Sequence, residues 1–396
     1  MTPVRRYLDH AATSWPKPEE VVAAVVTAIR DVGAAAGRGT HASARRADAI
    51  RAAARAGAAG IAGADPARVA LVPGATVGLN LAIRGIVEPG WRVVATAADH
   101  NATLRPLEAL AASGAIRLEI VPCDAQARVD PDDVARACRA GARLVVFSHA
   151  SNVTGTLQDA DAIVRAARGS GALSIVDAAQ TAGVVPLPAE ADIVVAPAHK
   201  WLQGPQGAAF VAVRDGVEPR PLVFGGTGGA SDSLAMPAAL CDRLEAGTPD
   251  LGALAGAAAA AGWLARHGMA EVAAHGRGLA AACRTALEAV GGVRVLGDGG
   301  AGPPIVAFTV EGYDPADVAA LVEQIGGIEA RAGWHCAALV HRCLGTAGGG
   351  CVRVGFGPFN GGDDVRALVS AVASLRGAAP PDPFPPLSPQ VPRWQV

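Results

Sequence analysis

The sequence predicts an α/β protein built on a mostly parallel sheet. Between residues 66 and 213, short runs rich in Val, Ile and Leu alternate with Ala-rich stretches of helical length. These strands are nearly continuously apolar, which is typical of parallel strands buried on both faces by crossover helices. From about residue 262 the pattern changes to mixed helices and strands. We therefore predict a second, smaller α+β unit after the first.

The predicted elements follow in chain order. Seven strands are expected in the first unit, at 68–72, 91–95, 117–121, 144–147, 173–176, 193–196 and 208–213. Pro73-Gly74 ends the first strand, and a helix is expected from Thr76. In the second unit we expect helices at 271–290, 315–326 and 363–375, with strands at 293–296, 305–310 and 351–356. Since open α/β sheets bind ligands beyond the carboxyl ends of their strands, the functional site is expected there.

Composition excludes several classes of function. The chain of 396 residues carries 34 basic and 36 acidic residues, so a formal net charge of −2 argues against a general nucleic-acid binder. The longest apolar run, 251–265, is shorter than the ~20 residues that span a bilayer, and we interpret it as a buried or interface helix. Seven scattered cysteines and no apolar leader favour a reducing compartment, so we expect a cytoplasmic protein.

The basic residues are strongly biased toward arginine. Lys17 and Lys200 are the only lysines among the 34 basic residues. Arginine can serve as a generic cation but stays protonated at any relevant pH, so it cannot act as a neutral amine. Each lysine is therefore a candidate for amine chemistry such as Schiff-base formation, with chance retention as the alternative.

Polar side chains follow several predicted strands directly. Gly74-Ala75-Thr76 opens a helix whose free N–H groups and dipole could hold a phosphate, although Thr76 could equally be a simple helix cap. Asp177 would be a carboxylate in need of a cation, with a helix cap or a surface turn as the alternatives. Lys200 follows the next predicted strand, 193–196, beside His199. A phosphate cradle, a carboxylate for a pyridinium nitrogen and a lysine for an aldehyde are what pyridoxal phosphate requires, so we predict that cofactor.

Motifs along nearly the whole chain resemble those of one family. In order they are YLDHAATSWPKP (7–18), GRGTHASA (37–44), PGATVGLNL (73–81), DHNATLRPL (99–107), HASNVTGT (149–156), VDAAQTAG (176–183), HKWLQGPQG (199–207), GGTGG (225–229), EAGTPD (245–250), RAGWHCA (331–337) and RVGFGPFN (353–360). With these motifs the chain resembles the class V aminotransferase group of fold-type I pyridoxal-phosphate enzymes. Within that group it is most similar to the cysteine desulfurase and selenocysteine lyase branch.

The resemblance implies a fold and a domain organisation. The expected architecture is a fold-type I transferase, with a large domain on a mostly parallel seven-stranded sheet and a smaller α+β C-terminal domain. We place the large cofactor-binding domain at 16–255 and the small domain at 1–15 together with 256–377. The Pro-rich segment 378–396 cannot form a helix or a central strand, and we interpret it as an extended tail.

The resemblance also implies residues that contact the cofactor. Lys200 matches the Schiff-base lysine, Asp177 the partner of the pyridinium nitrogen, and His100 the imidazole stacked on the ring, a candidate acid or base. The remaining positions that match cofactor contacts are Ala75, Thr76, Asn152, Gln180, His199 and Thr248. The family often carries a serine three residues before the lysine, whereas this chain has Pro197, which has neither a hydroxyl nor an N–H to offer a phosphate.

Further matches concern the substrate and a second subunit. Arg353 matches the arginine that binds the substrate carboxylate, a role suited to its bidentate geometry. Arg331, His41 and Asn152 match other positions on the substrate side. Thr248 matches a threonine that reaches the phosphate of the neighbouring subunit, which implies a homodimer.

Cys336 distinguishes desulfurase chemistry from other reactions of the family. It matches the cysteine that forms a persulfide, with Gly333 expected to let its loop move and His335 to favour its thiolate. A metal site is the alternative interpretation, because His335, Cys336, His341 and Cys343 lie within nine residues. Their spacing is not a standard zinc pattern, and we predict no metal.

The implied function is a cysteine desulfurase that converts L-cysteine to L-alanine. Sulfur would be held as a persulfide on Cys336 and passed to an acceptor protein or thiol. The alternatives are a selenocysteine lyase, a cysteine sulfinate desulfinase or another pyridoxal-phosphate-dependent C–S lyase. A non-catalytic scaffold of the same fold is an alternative of a different class. We expect no nucleic-acid or membrane partner.

Overall fold

The computed structural model describes residues 4–229 and 231–380. Its strands are β1 (Arg6–Tyr7), β2 (Val69–Val72), β3 (Arg92–Thr96), β4 (Arg117–Val121), β5 (Leu144–Ser148), β6 (Leu173–Asp177), β7 (Ile193–Pro197), β8 (Ala209–Val213), β9 (Val293–Leu296), β10 (Ile305–Val310), β11 (Ile328–Glu329), β12 (Arg331–Gly333) and β13 (Cys351–Gly355). The predicted strands were therefore confirmed, with ends that differ by one residue at most.

The α-helices pack around these strands. They are α1 (Glu19–Thr27), α2 (Ala42–Ala62), α3 (Ala75–Ile86), α4 (Asn101–Ala112), α5 (Pro131–Arg139), α6 (Ala160–Gly169), α7 (Leu240–Leu244), α8 (Leu251–His267), α9 (Met269–Glu288), α10 (Pro315–Gly326), α11 (Val340–Cys343) and α12 (Gly362–Leu375). A π-helical segment, Ala28–Val32, extends α1, and a short 3-10 helix spans Pro66–Arg68.

The larger sheet has seven strands in the order β2-β8-β7-β6-β5-β3-β4. Its strands pair in parallel except β8, which is antiparallel to both β2 and β7. Every residue of β5, β7 and β8 is buried. Val146 and Phe147 on β5 belong to different apolar clusters, so the two faces of the sheet are covered by separate cores. The expectation of strands buried on both faces is confirmed.

A second sheet lies in the C-terminal part of the chain. It is antiparallel and has four strands in the order β12-β13-β10-β9, packed with α9, α10 and α12 around a third apolar cluster. The short N-terminal strand β1 pairs in parallel with β11. The predicted boundaries 1–15, 16–255 and 256–377 stay a prediction, and most of the predicted tail, 381–396, lies outside the described residues.

The Ala-rich run forms α8, which packs on α1 and α2. Eight of its residues are buried, which agrees with the interpretation of 251–265 as a packed helix. Over residues 4–229 and 231–380, no helix has the length and apolar character needed to cross a bilayer.

Candidate active site

A cavity of about 250 Å³ opens at the carboxyl edge of the large sheet. Asp177 is the last residue of β6, and Lys200 follows the end of β7 by three residues. Parallel neighbours end at the same edge, which is why two residues 23 positions apart line one cavity. The predicted cofactor contacts that line it are Ala75, Thr76, His100, Asn152, Asp177, Gln180, His199 and Lys200.

One wall of the cavity is the N-terminus of α3. The N-cap residue is Gly74, which makes no side-chain capping bond, so the first N–H groups of the helix remain available to a ligand. Thr76 is exposed and does not cap the helix. The alternative in which Thr76 is only a cap is therefore wrong, and the end of α3 is suited to a phosphate.

Asp177 and Lys200 form the charged pair of the cavity. Burial raises the pKa of Asp177, against the lowering effects of a hydrogen bond from Ala179 N at 2.9 Å and of the Lys200 charge. Burial likewise lowers the pKa of Lys200 to about 8, although the carboxylate of Asp177 favours its charged form. A carboxylate in such surroundings needs a cation, and a lysine of this kind is partly neutral near pH 7.

His100 lies at the N-cap of α4, on the wall of the same cavity. Its Nδ1 accepts a hydrogen bond from Ala102 N at 2.9 Å, which places the proton of the neutral ring on Nε2. Burial lowers the pKa of His100 to about 4, with smaller contributions from the charges of Lys200, Arg331 and Arg353. His100 is therefore a neutral donor at physiological pH.

The cavity contains polar atoms that no protein group satisfies. Asn152 Oδ1 and His199 Nδ1 are buried without a hydrogen-bond partner, and both residues line the cavity. Buried polar atoms in native proteins normally have a partner. Together with the lone carboxylate of Asp177, the amine of Lys200 and the free end of α3, they fit pyridoxal phosphate.

Arg353 is buried beside the cavity. Its Nη1 donates to the carbonyl of Asn152 at 2.8 Å and its Nη2 to Asp9 Oδ1 at 2.9 Å, while Nε has no partner. Arg331 lies directly opposite on β12. Two guanidinium groups on adjacent strands repel each other, and an anion between them would relieve the repulsion. The pair is suited to a carboxylate.

Cys336 is exposed and held in a tightly bonded loop after β12. His335 and Cys336 have φ angles of 47° and 56°, in the left-handed region that costs non-glycine residues about 1–3 kcal/mol each. Asn152 Nδ2 donates to the carbonyl of His335 at 2.7 Å, and Asn101 N donates to that of Cys336 at 2.7 Å. These bonds tie the loop to the cavity wall.

The expectation that His335 favours the thiolate of Cys336 is wrong. His335 is buried, its Nε2 bonds the carbonyl of Cys351 at 3.0 Å, and burial lowers its pKa to about 2, so it supplies no charge for the thiolate. The cation near Cys336 is Arg331, whose Nη2 lies 3.9 Å from Sγ. Gly333 is the last residue of β12, where it pairs with Cys351 and its carbonyl lies against Gly350.

Two predicted residues lie apart from the cavity. Thr248 and His41 are both exposed, and His41 Nδ1 caps α2 by accepting from Ala44 N at 3.3 Å. Thr248 lines a neighbouring cavity of about 460 Å³, together with Thr76. Within one chain, neither residue reaches the wall that carries Lys200.

The metal alternative receives no support from the geometry. Residues 4–229 and 231–380 contain no group of three or more His, Cys, Asp or Glu side chains placed to hold a metal ion. His341 bonds Thr346 Oγ1 at 2.7 Å and the carbonyl of Trp334 at 3.1 Å, so both of its ring nitrogens are in use.

Two charged residues near the site were not predicted from the sequence. Asp9 pairs with Arg353. Asp99 accepts from Thr96 N, Thr96 Oγ1 and Ser148 N, which joins the ends of β3 and β5 just before His100. Asp9 belongs to YLDHAATSWPKP and Asp99 to DHNATLRPL, so their position in these motifs was the indication that the sequence offered. Lys17, the other lysine considered for amine chemistry, does not line the cavity and contacts the carbonyl of His199.

The chain is similar to known proteins over almost its whole length. The family model described as aminotransferase class-V matches residues 6–368. A probable cysteine desulfurase of Methanothermobacter thermautotrophicus is 30% identical over 382 residues, 94% of each chain. The cysteine desulfurase CsdA of Escherichia coli is 30% identical, with 92% of each chain covered. An apo structure of a cysteine desulfurase from Thermococcus onnurineus superposes with a TM-score of 0.88 at 28% identity, covering 94% of each chain.

A family model that spans almost the whole chain, with full-length relatives and a shared fold, is decisive. The fold-type I architecture and the family resemblance read from the sequence are confirmed. The chain belongs to the aminotransferase class-V family.

Proposed function

We propose that the chain is a pyridoxal-phosphate-dependent cysteine desulfurase, which converts L-cysteine to L-alanine and holds the sulfur as a persulfide on Cys336. Its relatives of similar length carry the name cysteine desulfurase. The observation that carries the proposal is the position of Asn152, which lines the cavity, bonds the loop of Cys336 and bonds Arg353. Asn152 thus connects the cofactor cavity, the loop that carries the proposed reactive thiol and the arginine proposed to bind the carboxylate.

Enzymes of this family depend on pyridoxal phosphate. Lys200 would bind the aldehyde, Asp177 the pyridinium nitrogen, and His100 the face of the ring. The end of α3 and His199 would hold the phosphate, and Gln180 and Asn152 would contact the ring side. When bound, the cofactor supplies an electron sink for the substrate Cα.

Residues of the protein bind the substrate and transfer protons. Arg353, with its unpartnered Nε, and Arg331 bind the substrate carboxylate. Lys200 Nζ, whose pKa is lowered to about 8, can take a proton from the substrate Cα near neutral pH. His100 keeps a proton on Nε2 that it can donate.

The sulfur step balances without an outside reductant. The Cys336 thiolate attacks the substrate sulfur, an S–S bond forms, and the substrate Cβ–Sγ bond breaks. The organic remainder gains protons and leaves as L-alanine, so one thiol and one cysteine give one persulfide and one alanine. Arg331 Nη2 lies 3.9 Å from Cys336 Sγ, which places a positive charge beside the attacking sulfur.

The partners of the reaction are also proposals. A protein or small-molecule thiol takes the sulfur from Cys336, which is exposed and therefore open to attack. The seven cysteines are free thiols, which supports a reducing, cytoplasmic setting. Thr248 and His41 would complete the site of a second copy in a homodimer.

Trapping the persulfide tests the proposal directly. Holoenzyme treated with L-cysteine in the absence of reductant should gain one sulfur atom, and peptide mass spectrometry should place it on Cys336. The Cys343→Ala variant is the control, because it removes a nearby thiol outside the loop. Sulfur on another cysteine, or none on any, would contradict the proposed role of Cys336.

A further inference from the structure

Lys17 has no role in the mechanism above. Its side chain is partly buried, and it does not line the cavity of Lys200. Nζ donates to Ser14 Oγ at 2.7 Å and to the carbonyl of His199 at 3.1 Å. That carbonyl belongs to the peptide bond between His199 and Lys200. The ammonium group of Lys17 therefore contacts the backbone that carries two proposed cofactor contacts.

The carbonyl oxygen of His199 is surrounded by donors from one short segment. Thr13 Oγ1 lies at 3.0 Å, Ser14 N at 2.8 Å and Ser14 Oγ at 3.1 Å, in addition to Lys17 Nζ. A carbonyl oxygen has two lone pairs, so two donors would satisfy it. Since Ser14 Oγ also accepts from Lys17, the hydroxyl relays the charge to the same oxygen.

Burying the ammonium group of a lysine costs free energy unless hydrogen bonds or other charges compensate for the lost water. Burial lowers the pKa of Lys17 to about 7, which reflects the loss of water around its ammonium group. Burial is the main cause of the lowered pKa of both His10 and His199, and the positive charge of Lys17 lowers both further. The pKa of His199 is lowered to about 4, first by burial, so its imidazole is neutral.

We propose that Lys17 is a positioning residue for the cofactor site: through Ser14 and the His199 carbonyl it fixes the peptide from which Lys200 and His199 reach pyridoxal phosphate. It touches neither cofactor nor substrate. The inference rests on the proposed function, because that function is what assigns Lys200 and His199 to the cofactor.

Three variants test the role. Lys17→Met removes the ammonium but keeps an unbranched chain, Lys17→Arg keeps the positive charge and donors, and Arg30→Met removes an exposed cation as a control. We would measure the Kd for pyridoxal phosphate of the cofactor-free proteins, the pH midpoint of absorbance of the lysine-bound cofactor, and thermal unfolding without cofactor. Lys17→Met should weaken binding about tenfold and shift the absorbance midpoint, as expected for a lost charged hydrogen bond. Lys17→Arg should recover most of the binding, and Arg30→Met should match the wild type.

The outcomes separate positioning from simple stabilisation. If Lys17→Met lowers the melting temperature but leaves the Kd and the absorbance midpoint unchanged, Lys17 only stabilises the fold and the proposal is wrong. Should Lys17→Met not fold, Ser14→Ala removes the relay instead, with the same expected weakening, and unchanged values there overturn the proposal. A wild-type protein that binds no pyridoxal phosphate would overturn the proposed function as well. If the wild type binds the cofactor and Lys17→Met has the same Kd and absorbance midpoint, only the role proposed for Lys17 is wrong.

Discussion

Burial sets the charge states of the residues around the cavity. It lowers the pKa of Lys200 to about 8 and that of His100 to about 4, and it raises the pKa of Asp177. A lysine that gives up its proton near neutral pH can act as a base, which an arginine in the same place could not do. At the scale of single residues, the reactivity of the site depends on the exclusion of water.

The lowered pKa of Lys200 predicts a pH dependence of stability. An unfolded lysine titrates near 10.5, so between about pH 8 and 10.5 the unfolded state binds more protons and folding becomes more favourable as the pH rises. Relative to Lys200→Met, the cofactor-free wild type should gain roughly 3 kcal/mol across that window and nothing below it. Urea unfolding of both proteins at several pH values measures the difference between their free energies of unfolding. Tyr7 and the cysteines titrate in both proteins, so their contributions cancel in that difference. An equal difference at both ends of the window would contradict the environment described for Lys200.

Arg353→Lys tests the carboxylate site. A lysine keeps the charge near Asp9 but loses the planar fork, so binding of the substrate carboxylate should suffer most. The KM for L-cysteine should rise at least tenfold while the absorbance of the bound cofactor stays unchanged. An unchanged KM would show that the carboxylate binds elsewhere.

At the scale of elements, the loop of Cys336 is fixed by its surroundings. The carbonyls of Trp334, His335 and Cys336 accept bonds from His341 Nε2, Asn152 Nδ2 and Asn101 N, respectively. Such bonds hold two successive left-handed residues in place. The Cys336 thiol is thus carried by a turn that hydrogen bonds hold in place.

Gly350→Ala tests this rigidity. Gly350 has a φ of 85°, and an added Cβ would clash with the carbonyl oxygen of Gly333, the residue that ends β12 three positions before Cys336. Gly312→Ala is a matched control, since Gly312 has a φ of 82° with open space around it. Both variants should lose about 1 kcal/mol from the left-handed backbone, and Gly350→Ala at least about 2 kcal/mol more.

Urea unfolding and alanine formation measure both variants. Gly350→Ala should form alanine more slowly than Gly312→Ala because the turn that carries the thiol is displaced. Equal stability and equal rates in the two variants would mean that the contact between Gly350 and Gly333 has no part in holding the loop.

Much of this organisation was predictable from local patterns. Asp177 and Lys200 could be placed because each follows an apolar strand, and strand ends meet at one edge of a parallel sheet. The bonds of the loop could not be placed in this way, since Asn152 and His335 lie 183 residues apart and local periodicity carries no information about such pairs. The same applies to Lys17 and His199, 182 residues apart.

At the scale of the whole molecule, one apolar surface is left uncovered by residues 4–229 and 231–380. The cavity that contains Thr76 and Thr248 is also lined by Val77 and Val223, which are 46% and 63% exposed. Phe224 next to it is 74% exposed. Exposed apolar side chains around a second cavity beside the proposed phosphate site are typical of an interface. A second copy of the chain would cover them and bring its own polar groups.

Val223→Glu tests the proposed homodimer. A buried charge at the interface should shift the protein from twice the chain mass of 39.5 kDa toward the single-chain mass, as measured by light scattering after size exclusion. Ile325→Glu, on an exposed position of α10 away from this cavity, is the control and should leave the mass unchanged. A wild type that elutes as a single chain would contradict the dimer.

The central claim is that Cys336 takes sulfur from L-cysteine at a pyridoxal-phosphate site. The most direct measurement is the release of sulfide and alanine from L-cysteine with a thiol reductant, for the wild type, Cys336→Ala and Cys343→Ala. We predict equal amounts of the two products from the wild type and Cys343→Ala, and loss of both from Cys336→Ala with its yellow cofactor retained. Full activity in Cys336→Ala, or pyruvate in place of alanine, would contradict the account and indicate a lyase that does not use this thiol.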